Sequence, residues 1–286
     1  MKSYAINDTT LTVREQGSGT PVLFIHGYPF DHSMWNRVFD AFDKTATHCT
    51  SGETGRQSAM KEYRLIAPDL RGLGSSGPTK SVGPTDMEQF ADDLHALLDT
   101  MGIMEKIVVC GLSMGGYVAM QFVMKYGADV AGIVLSNTKT GADSPQIAEN
   151  RHFQAENLLE KPDFLKSVAD TMIPKMFSAK TLAEKPEVVR EMRVMIESNN
   201  PQGAAAATLG MARRPDTTKF LKQINVPVLV VCGSEDQFSP PNEMKPLAEI
   251  AQYGSYVEIP DTGHLPPMEQ PEAFAEVLGG FIDGLS

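Results

Sequence analysis

The stretch IVVCGLSMGGYVAM, from Ile107 to Met120, constrains the fold more than any other. An unbroken apolar run stops at a glycine, a serine stands between glycines, and a helical pattern follows. A strand without polar alternation is buried on both faces, as in a parallel sheet covered by helices. A parallel strand needs a crossover, and the pattern over 114–126 supplies a helix. The same alternation recurs along the chain. AINDTTLTVREQ reads as an opening strand pair. Strands are predicted over 21–27, 63–72, 106–111, 130–138, 226–236 and 255–260, and helices over 34–44, 85–102, 114–126, 241–252 and 270–283. Strands alternating with helices imply parallel βαβ units with helices on both faces.

Two segments depart from this alternation. Residues 45–62, TATHCTSGETGRQSAMKE, are small, polar and aperiodic, and are expected to form a surface loop. They follow a helix and precede a strand, so they belong at the amino-terminal edge of the sheet. Ligands of open α/β sheets bind at the opposite edge. The second segment, 137–216, is helical in pattern and rich in Met, Phe and Leu. Inserted between two strands, it could fold over the sheet edge as a lid.

A chain of 286 residues suffices for one large domain or two small ones. The 42% hydrophobic and 21% charged fractions are those of an ordinary globular protein. A net charge of −11 argues against nucleic acid or an anionic membrane as the main partner. MKSYAINDTT has no secretory apolar core, and no run approaches the roughly 18 residues of a membrane span. Of the three cysteines, Cys110 and Cys232 fall inside strands and should be small buried hydrophobes; Cys49 falls in the polar segment. So sparse and odd a count fits a reducing, cytoplasmic compartment. The spacing suggests no metal site. Oligomeric state is left open.

Gly111-Leu112-Ser113-Met114-Gly115 is G-x-S-x-G in strand–turn–helix context. In a nucleophile elbow the serine sits on a strained turn, and small neighbours let the backbone pass closely. The turn also aims a helix N-terminus at the reacting centre. A serine needs a base, and the base an orienting carboxylate. Later strand ends supply both, in the order Ser113, Asp236, His264. Glu235 and Asp261 compete for the acid position, and Asp236 could instead cap the helix after it. The oxyanion donors expected are the backbone N–H groups of Met114 and Tyr28, the latter in the loop His26-Gly27-Tyr28-Pro29-Phe30. His26 should pack beneath that loop. His95 lies on a helix and His48 in the polar segment, whereas His32 and His152 could reach a pocket.

HGYPFDHSMW, APDLRGLGSSG, GLSMGGYVAM, CGSEDQFSPP and TGHLPPMEQPEAF together resemble the α/β-hydrolase superfamily. More narrowly they look like its small esterases, lactonases and perhydrolase-like members, including 3-oxoadipate enol-lactonases. The similarity runs from about residue 10 to 283 and is weakest over 137–216. It implies an eight-stranded, mostly parallel sheet with helices on both faces and a helical cap after the sixth strand. The core would be 1–136 and 217–286 and the cap 137–216, with no cofactor and no metal. Ser113 stands where dehalogenases and epoxide hydrolases of this fold have Asp. Leu112 stands where the carbon–carbon-bond hydrolases usually have Asn. The 45–62 segment departs from the compact members.

The expected activity is hydrolysis of small to medium apolar esters through an acyl-enzyme. Phe30, Trp35, His152, Met172 and Met176 are expected along the substrate pocket. Phe153, Leu158, Phe177, Met192 and Met195 should mostly pack the lid onto the core. Arg213 and Arg214 could hold a carboxylate, or pair with Asp216. Two alternatives stand beside the esterase: a lactonase using the same three residues, and a ligand-binding, receptor-like member of the fold. The complete Ser-Asp-His set argues against the last.

Overall fold

The computed structural model describes residues 1–48, 63–78 and 83–285, with 45–48 as backbone alone. Eight strands form one sheet: β1 (Lys2–Ile6), β2 (Thr9–Gln16), β3 (Thr20–Ile25), β4 (Tyr63–Pro68), β5 (Ile107–Leu112), β6 (Val130–Ser136), β7 (Val228–Gly233) and β8 (Gly254–Ile259). Their order is β1-β2-β4-β3-β5-β6-β7-β8. β1 and β2 pair antiparallel across a turn in which Asn7 takes φ 51°, and β2 is antiparallel to β4. All other neighbours are parallel. Apolar patterning explains the placement. β5 and β7 are buried along their whole length, whereas β8, at the edge, is largely exposed.

Among the described residues twelve α-helices accompany the sheet. α1 (Asn36–His48), α2 (Met87–Thr100) and α3 (Met114–Tyr126) follow β3, β4 and β5. Five helices lie between β6 and β7: α4 (Pro145–Glu160), α5 (Phe164–Met176), α6 (Ala179–Glu184), α7 (Pro186–Glu197) and α8 (Pro201–Arg213). Then come α9 (Thr218–Leu221), α10 (Pro241–Ile250), α11 (Pro266–Glu269) and α12 (Pro271–Asp283). α1 packs on α12, α2 on α3, α4 along α8, and α5 on α7. Start signals in the sequence mark most of the inserted helices. Ser144 and Asn200 cap the first turns of α4 and α8 with side-chain oxygens, and Pro145, Pro186 and Pro201 open helices.

Below the sheet's carboxyl edge the core is aromatic: Phe24 meets Trp35 at 5.1 Å and Phe39 at 5.2 Å between ring centroids. A buried ion pair ties the loop after β4 to α2, and the opening hairpin joins it. Arg71 forks onto Asp93, Nε to Oδ2 at 2.6 Å and Nη2 to Oδ1 at 2.7 Å, and Asn7 Nδ2 adds a bond to Oδ1 at 2.9 Å.

The predicted loop over 45–62 begins later than expected, because α1 continues through His48. Residues 49–62, with Cys49, lie outside the described residues, as does the side chain of His48. Cys110 and Cys232 are buried as predicted; burial pushes both thiols up, that of Cys232 to about 12.

Candidate active site

Ser113 links β5 to α3 at φ 56° and ψ −116°, a region that side chains avoid. Its surroundings over-determine that conformation. Its N–H donates to Ser136 O at 3.0 Å, and its carbonyl accepts from Gly116 N at 2.9 Å and Thr138 Oγ1 at 2.7 Å. Close packing explains the glycines. A Cβ on Gly115 would run into the Ile25 carbonyl, and one on Gly111 into that of Gly115. Any larger residue would push α3 off β3 and β5.

The loops after β7 and β8 bring Asp236 and His264 together. His264 Nδ1 lies 2.9 Å from Asp236 Oδ2 and 3.0 Å from Oδ1. That contact leaves Nε2, across the ring, for the cavity that His264 lines together with Ser113. Asp236 is fully engaged: Oδ2 also accepts from Asn137 Nδ2 at 2.8 Å, and Oδ1 from Phe238 N at 2.8 Å and Ser239 N at 3.2 Å. Burial pushes this carboxyl up. The neighbouring His264, the Asn137 amide and the Phe238 N–H outweigh burial and hold it below the usual range. The competing acids are used elsewhere. Glu235 accepts from Ala179 N, and Asp261 pairs with Lys180 from a turn at φ 54°.

Met114 N–H opens α3, and Tyr28 N–H follows Gly27 after β3; among the described residues neither donates to an acceptor. His26 lies below this loop as predicted. Nδ1 donates to Gly27 O at 2.8 Å and Nε2 accepts from Leu70 N at 2.9 Å, which requires the neutral ring. Burial lowers its pKa in the same direction. His95 stacks on Tyr126, remote from the cavity. His32 is bound to Asp69, Nδ1 to Oδ1 at 2.6 Å, and does not line the cavity. Asp31, His32 and Asp69 come close enough to hold a cation. Three of the four carboxylate oxygens already accept hydrogen bonds: Asp69 Oδ1 from His32 N, Asp69 Oδ2 from Ser75 N, and Asp31 Oδ1 from Ser33 N.

Above Ser113 is a cavity of about 570 Å³, with its roof on α4 and α5. Of the five side chains expected along it, Met172 is there and four are not. Phe30 and Trp35 are fully buried in the core beneath, where Trp35 packs between Phe24 and Phe274. Met176 is buried at a joint described below. His152 is exposed on α4; one residue from Arg151, it is turned about 100° around the helix, away from the cavity. Phe153 is also exposed, whereas Leu158, Phe177, Met192 and Met195 pack internally. On the roof the residues that do face the cavity are Ile147, Asn150, Arg151 and Gln154 on α4, and Phe164, Ser167, Val168, Thr171 and Met172 on α5. Their spacing is i, i+3, i+4, i+7, a helical stripe readable in the sequence but partly polar, so an apolar search passes over it. Arg213 is exposed beside Asp86, and Arg214 pairs with Asp143, not Asp216.

The turn between α5 and α6 is sewn to the loops after β7 and β8 that carry Asp236 and His264. His264 N donates to Met176 O at 2.6 Å. The fully buried Glu269 accepts from Ser178 N at 2.8 Å through Oε2 and from Gly263 N at 2.8 Å through Oε1, which also lies 3.4 Å from Leu265 N. Lys185 Nζ reaches Glu269 O, and Ala179 N reaches Glu235 Oε2 at 3.0 Å. Gly263 passes so near this turn that a Cβ would strike the Met176 carbonyl.

Comparison with known proteins agrees with this geometry. The alpha/beta hydrolase fold family matches residues 20–271. The 3-oxoadipate enol-lactonase 2 of Acinetobacter baylyi is 28% identical over 74% of this chain and 76% of its own. A thermophilic esterase from Thermogutta terrifontis, solved with malate bound, superimposes with a TM-score of 0.89 at 38% identity, covering 100% of this chain and 99% of that one. The enol-lactonase from Burkholderia xenovorans gives 0.84 at 25% identity, over 99% and 100%. No described helix is long and apolar enough to cross a membrane. By sequence, sheet order and the turn that carries Ser113, this chain belongs to the alpha/beta-hydrolase family.

Proposed function

We propose that the protein is a serine carboxylic-ester hydrolase working through an acyl-enzyme. The observation that carries this reading is Ser113, held at φ 56° over a cavity it shares with His264, whose far nitrogen is bound by Asp236. His264 Nε2 takes the hydroxyl proton as Ser113 Oγ attacks the ester carbonyl. Asp236 fixes the tautomer and stabilises the imidazolium. The Met114 and Tyr28 N–H groups receive the oxyanion. His264 then protonates the leaving alcohol, and water hydrolyses the acyl-enzyme by the reverse path. No step calls for a metal or cofactor. The insertion, 137–216, acts as the cap that shapes the cavity, and the sparse cysteines support a cytoplasmic setting.

The test is hydrolysis of p-nitrophenyl acetate, butyrate and octanoate by wild type and Ser113→Ala. Wild type should turn over, and Ser113→Ala should fall by about 10⁴ or more. A mutant that keeps its rate removes Ser113 as nucleophile. The relatives named as enol-lactonases favour a second reading, ring opening of a lactone by the same residues. Product analysis with an enol-lactone and a homoserine lactone separates the two.

A further inference from the structure

The chain carries a net charge of −11, yet its active-site cavity is cationic. Lys139, Arg151 and Arg214 line it, and Asp143 is the one carboxylate among the described lining residues. Lys139 is paired with Glu243 at 2.8 Å, outside the lining. Asp143 is shared: Oδ1 binds Arg214 Nη1 at 2.7 Å, and Oδ2 binds Arg151 Nε. One carboxylate between two guanidinium groups leaves a surplus positive charge.

The two arginines differ in what they have left to give. Both outer nitrogens of Arg214 are committed: Nη1 also donates to Met211 O at 3.1 Å, Nη2 donates to Gly141 O at 3.0 Å, and its plane lies 4.0 Å over the Tyr117 ring; Nε has no partner among the described residues but is buried out of a ligand's reach. Its side chain is 5% exposed. Arg151 is 19% exposed, and beyond Asp143 its recorded contact is Nη1 on the Met211 sulfur at 3.5 Å, a weak acceptor. Among the described residues Nη2 has no acceptor. A guanidinium fixed at Nε, with its outer nitrogens open to a largely apolar cavity, matches a carboxylate in geometry and charge. A purely apolar ester would leave it unanswered.

We propose that Arg151 forms an anion-binding subsite that selects esters whose acyl group carries a free carboxylate, such as monoesters of short dicarboxylic acids. This rests on the ester-hydrolase reading above. Arg214 and Asp143 hold the Arg151 side chain in place.

The experiment compares monomethyl glutarate with methyl pentanoate, which share a chain and differ at its end. Wild type should favour monomethyl glutarate in kcat/KM by roughly tenfold to a hundredfold, the range for a hydrogen bond to a charged group. The preference should shrink with added salt. Arg151→Gln should bring the ratio near one, chiefly through KM for the glutarate ester, and Arg151→Lys should keep part of it. Calorimetric binding of glutarate to Ser113→Ala and to the double variant Ser113→Ala/Arg151→Gln gives a readout independent of turnover. Equal rates on both esters overturn the subsite and leave the hydrolase standing. Arg151-dependent glutarate binding without turnover of any ester keeps the subsite and removes the hydrolase. Neither turnover nor binding removes both. Should Arg151→Gln fail to fold, the wild-type ester ratio and glutarate binding to Ser113→Ala decide alone.

Discussion

Asn137 Nδ2 donates to Asp236 Oδ2 at 2.8 Å, from a backbone held at φ 46° just past β6. Its side-chain oxygen is in turn held by Ser136 Oγ at 2.9 Å, so the amide cannot flip without losing that bond. The acid bound to His264 is therefore aligned from a third strand end. Asparagine suits the position twice, because it tolerates positive φ and carries the donor.

The first prediction concerns pH. Asp236 lies below the ordinary carboxylate value of 3.8 in the folded chain. A depressed folded value means its ionised form stabilises the fold fully above that ordinary value. The contribution is lost as pH falls through the folded value. Asn137→Gly keeps the backbone but removes the donor, so Asp236 should titrate at higher pH. We expect the acid limb of kcat/KM to move upward and kcat at neutral pH to fall roughly tenfold. Urea unfolding as pH falls should show Asn137→Gly losing stability at a higher pH than wild type. An unmoved acid limb would show that Asn137 merely fills space.

The second concerns strain. Ser113 sits where glycine is the natural occupant, at a cost of roughly 1–3 kcal/mol. Ser113→Gly should abolish turnover yet melt higher than wild type, by about 2–8 °C. Ser113→Ala keeps the Cβ and should melt lower than Ser113→Gly. If the glycine variant melts at or below wild type, the serine is not held against its preference.

Glu269 gives a third. Both carboxylate oxygens accept buried N–H groups, from Ser178 on one side and from Gly263 on the other. Glu269→Gln turns one acceptor into a donor facing a donor. We expect about 2–4 kcal/mol of destabilisation and a kcat loss larger than any KM change, because Gly263 and Leu265 flank His264. A KM-dominated effect would instead assign Glu269 to the shape of the cavity.

The fourth lies away from the site. Asp93→Asn breaks the fork onto Arg71 and leaves a guanidinium buried with fewer partners. The expected loss is about 3–5 kcal/mol, read by thermal or urea unfolding. A loss under about 1 kcal/mol would mean that Asp8 and water can replace the pair.

Strand positions and the helix boundaries of the sheet layer were legible because β3, β5 and β7 are apolar throughout and Gly or Pro marks their ends. The proximity of Asp236 and His264 followed from their places after β7 and β8, since parallel strands deliver their carboxyl ends to one edge. The cavity roof was not legible in the same way. Phe30 ends the loop after β3 and Trp35 ends the short helical turn that Asp31 caps, and both side chains turn into the core. Sequence proximity to a loop does not say which way a side chain leaves it. Arg151 and Thr171 were missed because their helical faces mix polar and apolar residues. The roles of Asn137 and Glu269 depend on partners 99 and 91 residues away, which no local pattern can show.

The seam between the α5–α6 turn and the loops of Asp236 and His264 bears on how such proteins diversify. If the insertion were an independent module, evolution or a designer could exchange it for another at will. Here its main chain helps shape the loop that holds the histidine. A transplanted insertion must present a carbonyl where Met176 does and an N–H where Ser178 does, or the recipient's base will drift. Exchange of specificity should therefore go through side chains on α4 and on α5 up to Met172, where the backbone lies outside that seam. In this architecture the roof is the surface free to vary, and the turn behind it is tied to the loops it supports.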